Sequence, residues 1–186
     1  MAYRNGTYIA FHAEGKTDPT ASDIRYYRML KAWHENDGTD FKFVNSHDKQ
    51  KAVRDGVAKA TIMKSLRLRL DDSKNMVLII GKTTKNDTDF VPYEIAYAVD
   101  SCRIPLIVTY TDHKYVLEPA ALRPLWPRAL ADRIDNGTAK AIHIPFKRAA
   151  IDDAIGQFNL SNAPSGGGLG HYSAEAHRNF GIGLWL

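Results

Sequence analysis

The chain has 186 residues, enough for one domain with a short tail, and its 44% hydrophobic content allows a packed core without disulfides or metals. A formal charge of +4 is far from a polybasic nucleic-acid arm and suits an anionic small ligand at least as well as weak RNA binding. The single cysteine, Cys102, excludes an intrachain disulfide and agrees with a reducing compartment.

Short apolar runs alternate with longer helical stretches, the pattern of βαβ units and a mainly parallel sheet. The first strand is predicted over residues 7–11. A loop with Gly15, Thr17, Asp18, Pro19 and Thr20 follows. Ser22 or Asp23 then caps a helix reaching about residue 35, with Ile24, Tyr27, Met29 and Leu30 near its buried face and Asn36, Asp37 and Gly38 at its stop. A second strand is read over 41–44, followed by Asn45, Ser46, His47 and Asp48. Ile62, Leu66 and Leu70 recur at i, i+4 and i+8 and mark the next helix. Residues 76–80 are apolar throughout, which predicts a central strand covered on both faces. After a polar loop over 81–89, Pro92 suits a first helical position, and a short helix is predicted to run to about residue 102. A fourth strand over 105–110, a proline-interrupted helical region over 118–134, a fifth strand over 141–144 and a helix over 148–158 complete the series.

Five strand–helix units imply a doubly wound, flavodoxin-like sheet of order 2-1-3-4-5 with helices on both faces. Beyond Leu160 the composition changes. Residues 165–168 read as a flexible glycine hinge, and the apolar end over 180–186 needs a surface to dock on. The expected organisation is an α/β domain over 1–160 and a glycine-rich tail over 161–186. Residues 1–7 lack the apolar run of a secretory signal, and the longest apolar run, 76–80, is too short to span a bilayer. The expectation is a cytoplasmic protein with no membrane partner. In doubly wound sheets, ligands bind outside the carboxyl ends of the strands, which points to the loops after Phe11, Val44 and Ile80.

Several motifs fail on inspection. Gly81, Lys82 and Thr83 follow a strand, but the phosphate-loop pattern needs a glycine where Met76 stands, and this is the third strand. No G-x-G-x-x-G follows the first strand, no G-x-S-x-G elbow occurs, and the seven histidines form no H-E-x-x-H, so dinucleotide-fold, serine-hydrolase and metal readings lack support. Lys64, Arg67 and Arg69 interleave with Leu66, Leu68 and Leu70 as on a solvated helix face, without aromatic stacking residues, and no nucleic-acid partner is expected. A phosphoacceptor receiver needs an acidic pair at the end of the first strand, where Ala10, Phe11 and His12 stand.

The segment Phe90, Val91, Pro92, Tyr93, Glu94, Ile95 is more informative. With Pro92 starting the helix, Glu94 falls in its first turn, where an acid is favoured by about 0.3–1 kcal/mol for structural reasons alone. It also follows a buried central strand and therefore belongs near the mouth of the sheet.

With its run 76–81, its polar loop and this segment, the chain resembles the third strand and following helix of Toll/interleukin-receptor-like (TIR-like) domains. That family often carries a tryptophan four residues before a glutamate, and here Phe90 and Glu94 hold those places. Tyr8, Ile9, Ala10, Phe11 and His12 resemble the family's first strand. The likeness covers roughly residues 7–110 and extends to the TIR-like (ThsB-type) proteins of the Thoeris antiphage system.

The resemblance implies an enzyme that consumes NAD as substrate, with no cofactor. It would cleave the nicotinamide–ribose bond and produce an ADP-ribose-derived, cyclic signalling nucleotide in bacterial antiphage defence. It also implies a phage-derived trigger, a separate effector protein that senses the product, and homo-oligomeric assembly. The essential glutamate of the family maps to Glu94. Candidate substrate-binding residues are Phe11, to stack a substrate ring, His12 and Ser46, for the ribose or phosphates, and Lys82, near the diphosphate; all four are also ordinary loop or core residue types. His47 is a candidate general base that this reading does not adopt. The alternative is a non-enzymatic TIR-like assembly module, in which the apolar end over 182–186 is a partner-binding or self-assembly arm; for that end, folding back on its own domain is the favoured expectation.

Overall fold

The computed structural model describes residues 4–12, 23–37, 42–44 and 59–184. Six parallel strands form one sheet in the order β2-β1-β3-β4-β5-β6. They are β1 (Gly6–Ala10), β2 (Lys42–Val44), β3 (Ser73–Ile80), β4 (Leu106–Tyr110), β5 (Ala141–Pro145) and β6 (Gly170–His171). The helices are α1 (Ile24–Asp37), α2 (Lys59–Asp71), α3 (Phe90–Ala96), α4 (Arg128–Asp135), α5 (Arg148–Gln157) and α6 (Ala174–Asn179). The expected order 2-1-3-4-5 is present, extended by one strand.

Successive strand residues point to opposite faces, and this splits the core in two. On one face Tyr8, Ala10, Met76, Leu78, Leu106, Val108 and Tyr110 pack under α2, α3 and α4. On the other, Ile9, Phe11, Val77, Ile79, Ile107 and Ile142 pack under α1 and α5. Residues 76–80 of β3 are buried throughout, as a central parallel strand requires. Met29, expected near the buried face of α1, is 43% exposed. Ile24, Tyr27 and Leu30 already fill that face, and the position of Met29 on the helix turns it outward.

β3 begins three residues earlier than the apolar run suggests, because the buried polar residues Ser73 and Asn75 find partners from elsewhere in the chain. Thr7 Oγ1 donates to Asn75 Oδ1 at 2.8 Å, and Asn75 Nδ2 donates to the carbonyls of Ile155 (3.1 Å) and Phe158 (2.7 Å). Those carbonyls lie at the end of α5, where intrahelical donors run out. One asparagine thus joins β1, β3 and α5.

α3 widens into a π turn over Tyr97–Cys102 and stops at Arg103, which adopts a left-handed φ of 57°. The proline-interrupted region becomes a 3-10 segment, Pro119–Leu125, followed by α4.

The segment after Leu160, expected as a tail behind a glycine hinge, joins the sheet. Gly170 and His171 pair with Ile142 and His143 of β5. A side chain at Gly170 would lie 2.6 Å from the Ser165 carbonyl and 2.8 Å from that of Ala141, so only glycine allows this approach. Ser173 Oγ caps α6 by accepting from the Ala176 amide at 3.1 Å. His177 is fully buried, accepts from the Val116 amide at 3.3 Å and bonds the Ser173 carbonyl at 2.9 Å. Among the described residues no helix is long and apolar enough to cross a membrane.

Candidate functional site

α3 begins at Phe90, two residues earlier than Pro92 suggests. The reason is Asp87, whose Oδ1 accepts from the backbone amides of Asp89 (2.7 Å) and Phe90 (3.1 Å) and so satisfies donors that a helix start leaves open. Pro92 is the third helical residue, where its missing N–H costs nothing. Glu94 therefore sits in the second turn rather than the first. The helix-terminus explanation for an acid there does not apply.

Val91, Glu94 and Ile95 form the inner face of α3, at spacings i, i+3 and i+4. Glu94 is fully buried. Its Oε1 accepts a hydrogen bond from the Tyr8 hydroxyl, across 86 residues of sequence. Tyr8 is also fully buried, in the middle of β1. Burial pushes the acidity of the Tyr8 hydroxyl well down, and the charge of Glu94 and their hydrogen bond push the same way; its pKa lies well above the ordinary tyrosine value. Tyr8 is thus a permanent donor.

A second link joins β1 to this helix. Nδ1 of His12 lies 3.0 Å from Asp87 Oδ2, with both side chains mostly buried. Burial disfavours the charged form of Asp87. The His12 bond and the amides of Asp89 and Val91 outweigh that and hold its carboxyl below its usual range. With Asp87 ionised, Nδ1 carries the proton.

The loop after β3 is pinned as well. The Gly81 amide donates to Thr84 Oγ1 at 2.8 Å, and Thr84 Oγ1 donates to Asp23 Oδ2 at 2.8 Å, at the start of α1. A Cβ on Gly81 would lie 2.1 Å from Asp23 Oδ1, so the glycine makes room for the aspartate. Lys82 is exposed on this loop.

The candidate residues thus divide. Glu94 and His12 lie on one side, both linked to α3, and Lys82 on the loop that leads to it. Phe11 points to the opposite face, where its ring stacks on Tyr27 with centroids 5.0 Å apart and 20° between planes. Ser46 and His47 lie outside the described residues, as do Ser22 and the loop of residues 13–20. Thr84 and Asp87 were not singled out from sequence; Asp23 was read only as a helix cap and Tyr8 only as part of the first strand, neither as a partner of the loop after β3 or of Glu94. An aromatic in a strand and acids in loops are commonplace, and each partner is at least 61 residues away except within the 81–90 loop. Among the described residues no group of three or more His, Cys, Asp or Glu is placed to hold a metal ion.

A second buried polar centre lies on the same sheet face. The Trp126 indole donates to the Tyr110 hydroxyl at 2.7 Å, Tyr110 lies 2.7 Å from His143 Nδ1, and His143 Nε2 lies 2.9 Å from the Gly168 carbonyl. An indole N–H only donates and a carbonyl only accepts, so the chain runs one way and leaves a neutral imidazole protonated on Nε2. Burial, against the pull of the Gly168 carbonyl, brings the His143 pKa down to about 4.

Residues 8–115, more than half of the chain, match the model of the family described as Thoeris protein ThsB, TIR-like domain. The chain belongs to this TIR-like family. The match runs from Tyr8 in β1, through the whole of β3, α3 and β4, to the loop after β4, and so contains Tyr8, His12, Asp87 and Glu94. The Trp126–Tyr110–His143 chain extends beyond it, as do β5, α5 and the sixth strand.

Proposed function

We propose that this TIR-like protein consumes NAD, cleaving the bond between nicotinamide and ribose and releasing an ADP-ribose-derived signalling nucleotide in antiphage defence. The observation that carries the reading is Glu94, a carboxyl buried on the inner face of α3 where apolar packing would suffice, held by the Tyr8 hydroxyl. Burying an acid is costly, and a carboxyl that a fold buries without a packing need marks a candidate site of chemistry.

The chemistry needs one carboxylate. Ordinary glycoside hydrolysis uses two, one to protonate the leaving oxygen. Nicotinamide in NAD is already a cationic pyridinium and departs neutral, so no acid is required. Glu94 would hold the ribose hydroxyls and stabilise the oxocarbenium-like transition state. The nucleophile that then reaches C1 decides the product: water gives linear ADP-ribose, and an adenine nitrogen gives a cyclic isomer. The reading takes the cyclic isomer as product, as in a signalling enzyme. Lys82, exposed on the preceding loop, is suited to the diphosphate, and His12 to the ribose or phosphates. One face of the Phe11 ring is engaged by Tyr27, which favours a supporting role for it over substrate stacking.

The test is nicotinamide release from NAD by the purified protein, with and without a phage trigger, with mass spectrometry of the second product. Glu94→Gln should abolish release while folding as wild type. Undiminished release by that variant removes Glu94 from the mechanism.

A further inference from the structure

We propose that Tyr8 is the positioning residue of this site, its hydroxyl holding the Glu94 carboxyl in the orientation and ionised form in which it meets the ribose; this rests on Glu94 being the reacting carboxyl. The geometry carries the proposal. Tyr8 lies in β1, which is hydrogen-bonded on both sides, to β2 and β3, so its ring has a fixed place in the fold. Its strand neighbours on that face, Ala10, Met76 and Leu78, are apolar, as are Val91 and Ile95 flanking Glu94 on the inner face of α3. Besides Glu94, the charged or titratable groups that act on Tyr8 are Arg69 of α2, which favours its ionisation, and Tyr93 of α3, which opposes it. Phenylalanine would fill the same core volume. A buried hydroxyl without a partner destabilises a fold, and this one is directed at the Glu94 carboxyl.

A donor to a carboxylate favours the charged form and fixes the rotamer. The acidity of Tyr8 is suppressed by burial and by the charge of Glu94, so the phenol keeps its proton over the working pH range and never competes as an acid. It can therefore act only through Glu94. Its loss should affect the transition state, where charge develops on the sugar, more than NAD binding, which spreads over the whole dinucleotide.

The experiment has two arms. In the first, the side-chain carboxyls of the five glutamates are followed by carbon NMR against pH, with Glu94→Gln identifying the Glu94 signal. In Tyr8→Phe the Glu94 midpoint should move up by roughly one pH unit while the other four stay in place. Site-specific 3-fluorotyrosine at position 8, a stronger donor of nearly the same shape, should move it down. This second variant decides the matter if Tyr8→Phe does not fold. A Glu94 midpoint unmoved by either replacement overturns the proposal.

The second arm is nicotinamide release by triggered protein. Tyr8→Phe should lower kcat by roughly tenfold or more, leave KM for NAD within about twofold, and move the acid limb of the pH–rate profile upward with the NMR midpoint. A raised KM with unchanged kcat, or an unmoved acid limb, also overturns it. If triggered wild type releases no nicotinamide, the enzyme reading fails by itself, and the NMR arm still decides whether Tyr8 governs Glu94.

Discussion

Two buried polar centres share one face of the sheet, and they are built on opposite plans. Around β4 and β5, Trp126, Tyr110, His143 and the Gly168 carbonyl form a run of neutral groups in which every donor meets an acceptor. Such a chain is compatible with a dry interior and ties the end of the molecule to its middle. Around β1 and α3 the fold instead buries an acid against a phenol. The first arrangement explains itself as architecture. The second does not, since nothing in the packing of Val91, Ile95, Met76 and Leu78 calls for a carboxyl.

The sharpest way to break this comparison is to cripple each centre in turn. Glu94→Gln should lower NAD turnover by ~10²-fold or more and leave thermal stability unchanged or raised. His143→Ala should do the reverse. It strands the Tyr110 hydroxyl and the Gly168 carbonyl and opens a cavity, at a cost of about 3 kcal/mol, or a Tm lower by roughly 6–12 °C, with turnover per folded molecule retained. If His143→Ala kills turnover in fully folded protein, the division into an architectural and a chemical centre is wrong.

Acid sharpens the contrast further. Folded His143 binds its proton only near pH 4, whereas the unfolded chain binds it near 6.5. Between those values the unfolded state holds more protons, so the stability contributed by neutral His143 is complete above about 6.5 and is lost as the pH falls to about 4. Urea unfolding at a series of pH values should show this limb in wild type, and His143→Gln should flatten it.

Asp87 gives the smallest effect. Its carboxyl is held below the usual range, so its contribution is present above about pH 4 and fades as the pH falls through its folded value. Asp87→Ala removes the acceptor for two amides at the start of α3 and the partner of His12, and should lower stability by about 1 kcal/mol at neutral pH in the same unfolding assay.

How much of this was legible beforehand follows the range of the forces involved. The apolar run 76–80, the alternation of strands and helices, and the strand order needed only local pattern, and they stand in the structure. The position of Glu94, on the helix that follows the central strand, was legible in the sequence, and the family likeness singled it out as a candidate. Its partner was not, because nothing local distinguishes Tyr8 from any aromatic in a buried strand. Ser73 and Asn75 hid the start of β3, since their polar side chains are satisfied by Arg69, Thr7, Ile155 and Phe158. Residues 165–168 show how composition can hide a turn. Their glycines read as slack, but Gly166, Gly167 and Gly168 take left-handed φ values of 97°, 58° and 89° and build the turn into β6.

That turn bears on how the protein can be handled. β6 covers the open side of β5 with two residues, and α6 follows directly. A version shortened to residue 160 would keep every element matched to the TIR-like family, yet present β5 as a bare parallel edge and leave His143 facing solvent or nothing. Exposed edges of this kind recruit other edges. Expression of such a fragment should favour sticky, self-pairing material, and any self-association measured on it would describe the cut rather than the protein.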